Sequence, residues 1–232
     1  MAHYFTNDIV KDAPEEITIH FRDFTYKLNS NAGVFSKDKL DEGTRILLET
    51  VLDHEVEPES TLDLGCGIGP IALILMEYWK HTAMTMIDVN QRACQLADSN
   101  MKKYRRKAKI LCQSGVNEGQ YACILLNPPI RTGKAMIYSL FDQCLEHLKE
   151  DGHFWIVMRK QHGAQSAIHY LQEKGYEVEK MARDKGYWVM KISVIRNYAA
   201  PVWARPTPPL PRRCSLPSSA RRRSSSPALR AT

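Results

Sequence analysis

"STLDLGCGIGPIALILMEYWK", residues 60–80, decides the fold. "STLDLG" (60–65) has the composition of a short strand, and "PIALILMEYWK" (70–80) reads as a helix with an apolar face. Between them Gly65, Gly67 and Gly69 mark a sharp turn that brings backbone close to whatever lies beside it. A strand entering a helix through a glycine-rich turn is the building unit of parallel sheets covered by helices.

The alternation continues outward. "AMTMID" (83–88) is a strand and "QRACQLADSNMKKY" (91–104) repeats apolar residues at helical spacing. "AKILCQ" (108–113) and "YACILLN" (121–127) are strands. "KAMIYSLFDQCLEHLKEDG" (134–152) is expected to be a helix that stops at Gly152, with Lys149 near its C-terminal end as the helix dipole prefers. "HFWIVMRK" (153–160) is a strand and "AQSAIHYLQEKG" (164–175) a helix ended by Gly175. "YEVEKMAR" (176–183) and "YWVMKISVI" (187–195) flank the turn "DKG", which forces them antiparallel. The expected architecture is α/β: a doubly wound, Rossmann-like sheet of seven strands, mostly parallel, with an antiparallel last strand.

Residues 1–59 have a different texture. "ITIHF" (17–21) and "FTYKL" (24–28) suggest a hairpin, and "KLDEGTRILLETVLDHEV" (39–56) a helix. They are expected to form a cap on the core of 60–195, so that 1–195 is one domain. Residues 196–232 contain seven of the twelve prolines and the run "RRRSSS", a composition expected to be disordered. Eight arginines and no acidic residue follow Val194. The remaining 24 Lys and Arg face all 26 Asp and Glu, so the formal charge of +6 belongs to the tail and overall charge says little about a nucleic-acid partner.

The six cysteines are scattered without a C-x-x-C pair, and the histidines show no ligand spacing, so no metal site is expected. The longest apolar run, Ile71 to Met76, is too short for a bilayer. A cytoplasmic protein without membrane contact is expected.

Two features carry chemistry. In the first, the glycine loop offers free N–H groups at a helix start. A dinucleotide fingerprint would place a third glycine where Pro70 stands, which argues against an NAD-dependent oxidoreductase. Asp88 ends the second core strand 23 residues after Gly65, where a carboxylate can accept both ribose hydroxyls. With Asp63, this pair resembles the cofactor site of class I S-adenosylmethionine-dependent methyltransferases. The resemblance implies cofactor contacts from Asp63, Gly65, Cys66, Gly67 and Gly69 in the loop and from Asp88, Val89 and Asn90 after the next strand. Where many such enzymes place an acid against the adenine amine, Gly115 stands here, with Ser114 and Asn117 as polar neighbours.

In the second, "NPPIRTGK" (127–134) ends a core strand on Asn-Pro-Pro. A residue before proline is held extended, and neither proline can donate to a ladder. The Asn127 side-chain oxygen and the Pro128 carbonyl are left as fixed acceptors at the sheet edge where α/β proteins bind ligands. Two acceptors suit a substrate NH₂, making Asn127 and Pro128 the candidate catalytic pair. Together with "AGVFSKDKLDEGTRILLE" upstream, the motif resembles the small-methyltransferase-domain family that includes the bacterial 16S ribosomal RNA guanine-N2 methyltransferases. That resemblance implies Phe35 and Ser36 over the cofactor, Pro129 and Ile130 against the target base, and ribosomal RNA or a small-subunit intermediate as partner. Ile130 stands where many relatives have an aromatic residue. Arg131 and Lys134, at the mouth of the site, are the candidate phosphate contacts, ahead of the "KKYRRKAK" cluster (102–109), which reads as a solvated face. Asn-Pro-Pro also serves methylation of adenine N6 and of protein glutamine, and a non-catalytic RNA- or partner-binding module has the same fold.

Overall fold

The computed structural model describes residues 13–31 and 40–195. Phe35, Ser36 and the tail from 196 lie outside the described residues. In chain order the elements are β1 (Pro14–Phe21), β2 (Phe24–Asn31), α1 (Glu42–His54), β3 (Ser60–Leu64), α2 (Pro70–Tyr78), β4 (Ala83–Asp88), α3 (Gln91–Lys103) and β5 (Lys109–Cys112). They continue with β6 (Tyr121–Leu126), α4 (Lys134–Glu146), β7 (Leu148–Arg159), α5 (Ala164–Glu173), β8 (Tyr176–Asp184) and β9 (Tyr187–Val194). Short 3₁₀ turns, Ile130–Thr132 and Lys160–His162, follow β6 and β7.

The main sheet has seven strands in the order β5-β4-β3-β6-β7-β9-β8. β3, β4, β5, β6 and β7 pair in parallel, and β9 runs antiparallel to both β7 and β8. The chain winds outward in both directions from β3 and β6, so the crevice at the C-terminal ends of these two strands is the place where such sheets bind ligands.

Side chains alternate across the sheet as the period of two demands. Cys123, Leu125, Trp155 and Val157 face a core shared with α1, α2 and α3, while Ile124, Leu126, Phe154 and Ile156 face α4 and α5. Helix α1 packs on α2, β7 and β9. The β1–β2 hairpin buries Ile17, Ile19, Phe21, Tyr26 and Leu28 over α2 and α3, with Tyr26 edge-on to Tyr104 and Phe21 edge-on to Tyr78. Both are held to the core by side chains. Buried Asn100 of α3 accepts from the Asn29 N–H and donates to the carbonyls of Asn29 and Ile68. At the far end of α1, Glu55 accepts from the Trp155 indole at 2.9 Å and lies against His153.

The expected helix over 134–152 is shorter than its sequence suggests. α4 ends at Glu146, and Leu148 already pairs with Tyr121. The ladder resumes at Cys123 opposite His153, so residues 149–152 bulge out of β7. Gly152 makes the bulge possible: a Cβ there would meet the Ala122 carbonyl oxygen at 2.9 Å and the Lys149 carbonyl oxygen at 3.0 Å. Lys149 ends no helix; it pairs with Glu59.

Cys66, Cys94, Cys123 and Cys144 are buried and free, and Cys112 is free and exposed. Among the described residues no helix is long and apolar enough to cross a membrane, and no three metal-ligating side chains cluster.

Candidate active site

The glycine loop joins β3 to α2 and is stitched to the end of β4. The N–H groups of Gly65 and Cys66 both donate to the Ile87 carbonyl, at 2.8 and 3.0 Å. Asp88 accepts the Gly67 N–H on one carboxylate oxygen at 2.9 Å and the Asn90 N–H on the other at 2.8 Å. Each oxygen retains a second lone-pair site. Asp88 is buried, and that burial raises its pKa against the pull of these amides.

Gly65 and Gly67 have φ of +75° and +54°, and an added Cβ at either would have no heavy atom within 4 Å. The space in front of this backbone is therefore open and accessible only because no side chain fills it. Gly69 differs: its Cβ would strike the Met86 methyl at 2.9 Å, so it serves the packing of α2 on the sheet.

Asp63 lies beneath the loop. It is fully buried on the α2 face of β3, and neither carboxylate oxygen has a hydrogen-bond partner of ordinary geometry. Burial pushes its pKa up to about 7, against the draw of the Ala72 amide and with a smaller push from the Asp88 charge. Cys66 is buried too, its thiol raised by desolvation. Asn90 caps α3, its side chain accepting from the Ala93 N–H at 3.1 Å.

A cleft opens from the loop towards α4, bordered by Gly65, Asp88, Val89, Ser114 and Pro129, with Met136 and Leu140 of α4 as an apolar wall. The sequence reading did not single out Met136 or Leu140; their i, i+4 spacing on α4 is the available signal. Gly115, at the position where the resemblance implies an acid, has its side-chain space occupied. Gln143 of α4 places its amide oxygen 1.9 Å from where a Cβ would stand and accepts the Val116 N–H at 3.0 Å. Ser114 lines the cleft, and Asn117 does not.

An open glycine backbone, a carboxylate at the rim and an apolar wall fit an adenosyl group bearing a ribose diol. Gly65, Gly67, Asp88 and Val89 would hold it.

Asn127 follows β6 on the face turned towards α1. Its side-chain NH₂ donates to Asp41 Oδ2 and to Thr44 Oγ1, both at 3.0 Å. Asp41 is the N-cap of α1, and the same oxygen accepts the Thr44 N–H at 3.0 Å. With the NH₂ fixed on both hydrogens, the amide orientation is settled and the Asn127 oxygen is turned away from these partners. Among the described residues nothing donates to that oxygen or to the Pro128 carbonyl. The turn after the motif is tight, the Thr132 N–H and hydroxyl both donating to the Pro129 carbonyl. Ile130 is half-buried against the α4–α5 core, while Arg131 and Lys134 are exposed, Lys134 lying 5.2 Å over the Tyr138 ring. Asp41 and Thr44 were not among the expected site residues.

The methyltransferase small domain model matches residues 25–191. The YbxB protein of Bacillus subtilis is 38% identical over 83% of this chain and 98% of its own length. Ribosomal RNA small subunit methyltransferase C of Shewanella piezotolerans is 33% identical over 56% of this chain, a match that spans only 40% of that enzyme. The fold is also that of the T. thermophilus 16S rRNA N2 methyltransferase RsmC, solved with AdoMet and guanosine, at a TM-score of 0.67 and 20% identity over 78% of this chain and 51% of that one. The chain thus belongs to the methyltransferase small domain family and is an S-adenosylmethionine-dependent methyltransferase.

Proposed function

We propose that the protein methylates an exocyclic amine of RNA, the N2 amine of guanine in small-subunit ribosomal RNA, in the cytoplasm. The observation that carries this reading is the fixed amide of Asn127: two donors' worth of NH₂ are committed to Asp41 and Thr44, leaving the oxygen as an acceptor beside the Pro128 carbonyl.

An amine on a base is a poor nucleophile because its lone pair is delocalised into the ring. Accepting both amine hydrogens draws the nitrogen towards tetrahedral geometry and frees the lone pair, a preorganised electrostatic contribution worth roughly 10²–10³ in rate per contact. The displaced proton leaves to water, so no general base is required at Asn127. S-adenosylmethionine, when bound, supplies the electrophilic methyl group. Gly65 and Gly67 admit it to the backbone, Asp88 takes the ribose hydroxyls and Val89 flanks the adenine. Asp63, Cys66, Gly69 and Asn90 support the shape of that site from beneath. Pro129 and Ile130 border the base, Arg131 and Lys134 meet its phosphates, and the target must be unpaired or flipped for its amine to reach Asn127. The catalytic domain ends near residue 195.

Labelled methyl transfer to small-subunit particles lacking base methylation, followed by nucleoside mass spectrometry, tests the reading. N2-methylguanosine from the wild type and none from Asn127→Ala is the expected result. N6-methyladenosine or methylglutamine as the product would replace the guanine assignment.

A further inference from the structure

A second cleft, of about 420 Å³, lies on the same edge of the sheet and is lined by Arg159, Lys160, Gln161, Lys185 and Gly186. Arg159 ends β7, Lys160 and Gln161 form the turn after it, and Lys185 and Gly186 lie in the β8–β9 turn. Both walls are tied together. The Lys160 N–H donates to the Gly186 carbonyl at 2.9 Å, and Arg159 pairs with Tyr187 in the ladder. The Arg159 guanidinium rests on the Tyr187 ring at 4.7 Å, which fixes its plane and leaves its N–H edge available.

Charge pairing separates this cleft from the protein's most conspicuous basic run. In the 102–109 segment Lys102 pairs with Asp98, Lys103 with Glu16, Arg106 with Glu77 and Lys109 with Glu118. Four of its cations are therefore already neutralised. At the cleft, Arg159 and Lys160 have no carboxylate partner among the described residues, and Lys185 shares Glu42 with Arg45. Arg159 and Lys160, adjacent and without a carboxylate partner among the described residues, raise a local positive potential that an anion relieves.

Position names the anion. β6 and β7 are neighbouring parallel strands with Leu126 opposite Ile156, so Arg159 stands one strand across and two residues further along than Asn127. By strand geometry the two Cα positions are on the order of 8 Å apart, about the reach of one nucleotide. We propose that this cleft binds the phosphodiester next to the target nucleotide, with Arg159 and Lys160 as its contacts. The proposal rests on the RNA reading above and adds a substrate subsite to it.

The test is binding of a fluorescent single-stranded RNA as a function of salt, with methyl transfer to the same RNA measured separately. Arg159→Gln combined with Lys160→Glu is expected to weaken binding by tenfold or more and to flatten the plot of log affinity against log salt by about one to two, as loss of two phosphate contacts implies. Lys160→Glu alone, on an exposed residue, guards against a folding defect and is expected to give several-fold weakening. S-adenosylhomocysteine affinity stays unchanged in both, and Lys102→Ala with Lys103→Ala leaves RNA binding within twofold. Equal RNA affinity and slope in wild type and double variant overturns the proposal, as does an absence of RNA binding by the wild type. Methylation of RNA with an unaltered slope removes the cleft and keeps the activity. A lost slope without RNA turnover keeps the cleft and removes the activity.

Discussion

Asn127 and Asp41 stand 86 positions apart in the chain and meet at 3.0 Å, with the N-cap of α1 holding the amide that follows β6. One carboxylate oxygen thus serves the N-cap of a helix and the Asn127 amide together. Asp41→Ala is expected to lower kcat by about 10–100-fold while leaving S-adenosylhomocysteine affinity within about twofold, because the Asn127 amide is free to turn its NH₂ towards the substrate. The lost cap should cost about 1 kcal/mol of stability. Single-turnover kinetics and calorimetric titration on the same variant check both halves.

Asp88→Asn separates charge from geometry at the cofactor loop. The native carboxylate accepts an N–H on each oxygen. An amide has one acceptor, so its NH₂ must face the N–H of either Gly67 or Asn90. Cofactor affinity is expected to fall more than tenfold, measured by titration with S-adenosylhomocysteine, in spite of near-identical size.

Two glycines of the same loop should respond differently to alanine, one chiefly in ligand affinity and the other chiefly in stability. Gly67→Ala puts a methyl into open space and strains a left-handed backbone, for about 1–2 kcal/mol of stability. Its larger effect is on ligand affinity. Gly69→Ala drives a methyl against Met86 and Met101 and is expected to lower stability by a further 1–3 kcal/mol, on the order of other overpacked cores. Denaturant melts alongside titrations distinguish the two.

Asp63 gives stability an unusual pH dependence. Its carboxyl takes up a proton near pH 7 when folded, against 3.8 as the ordinary value. Between these limits the native state binds more protons than the unfolded one, so stability falls as pH rises. The neutral form's contribution is complete below about pH 4 and lost through pH 7, a change of roughly 2–4 kcal/mol. Asp88, raised in the same direction, adds to it. Melting temperature should decline from pH 5 to pH 8, and Asp63→Asn should flatten that decline.

Much of this is legible in the sequence alone. The glycine loop and the strand–helix alternation are local demands of backbone conformation and side-chain period, and they fall where the sequence places them. The end of α4 was not legible. Leu148, Lys149 and Glu150 suit a helix, yet pairing with Tyr121 draws Leu148 into β7, and only Gly152 hints at the close approach beyond. The partners of Asn127 were hidden for another reason. An aspartate three residues before a threonine announces a helix start, but nothing local says that the start abuts a strand end 83 residues later. The Gly115 gap likewise read as a missing acid, whereas Gln143 occupies the space. The basic run at 102–109 stood out because sequence displays charges without their partners.

With Asn127 in its proposed role, Asp41's double duty makes turnover depend on the state of a helix end. The first turn of a helix frays more readily than a central strand gives way. Each time α1 opens there, the Asn127 amide loses its anchor while the glycine loop, stitched to β4, keeps its shape. Warming should therefore idle the enzyme with its cofactor still bound: turnover declines at temperatures where the sheet is intact, and recovers on cooling.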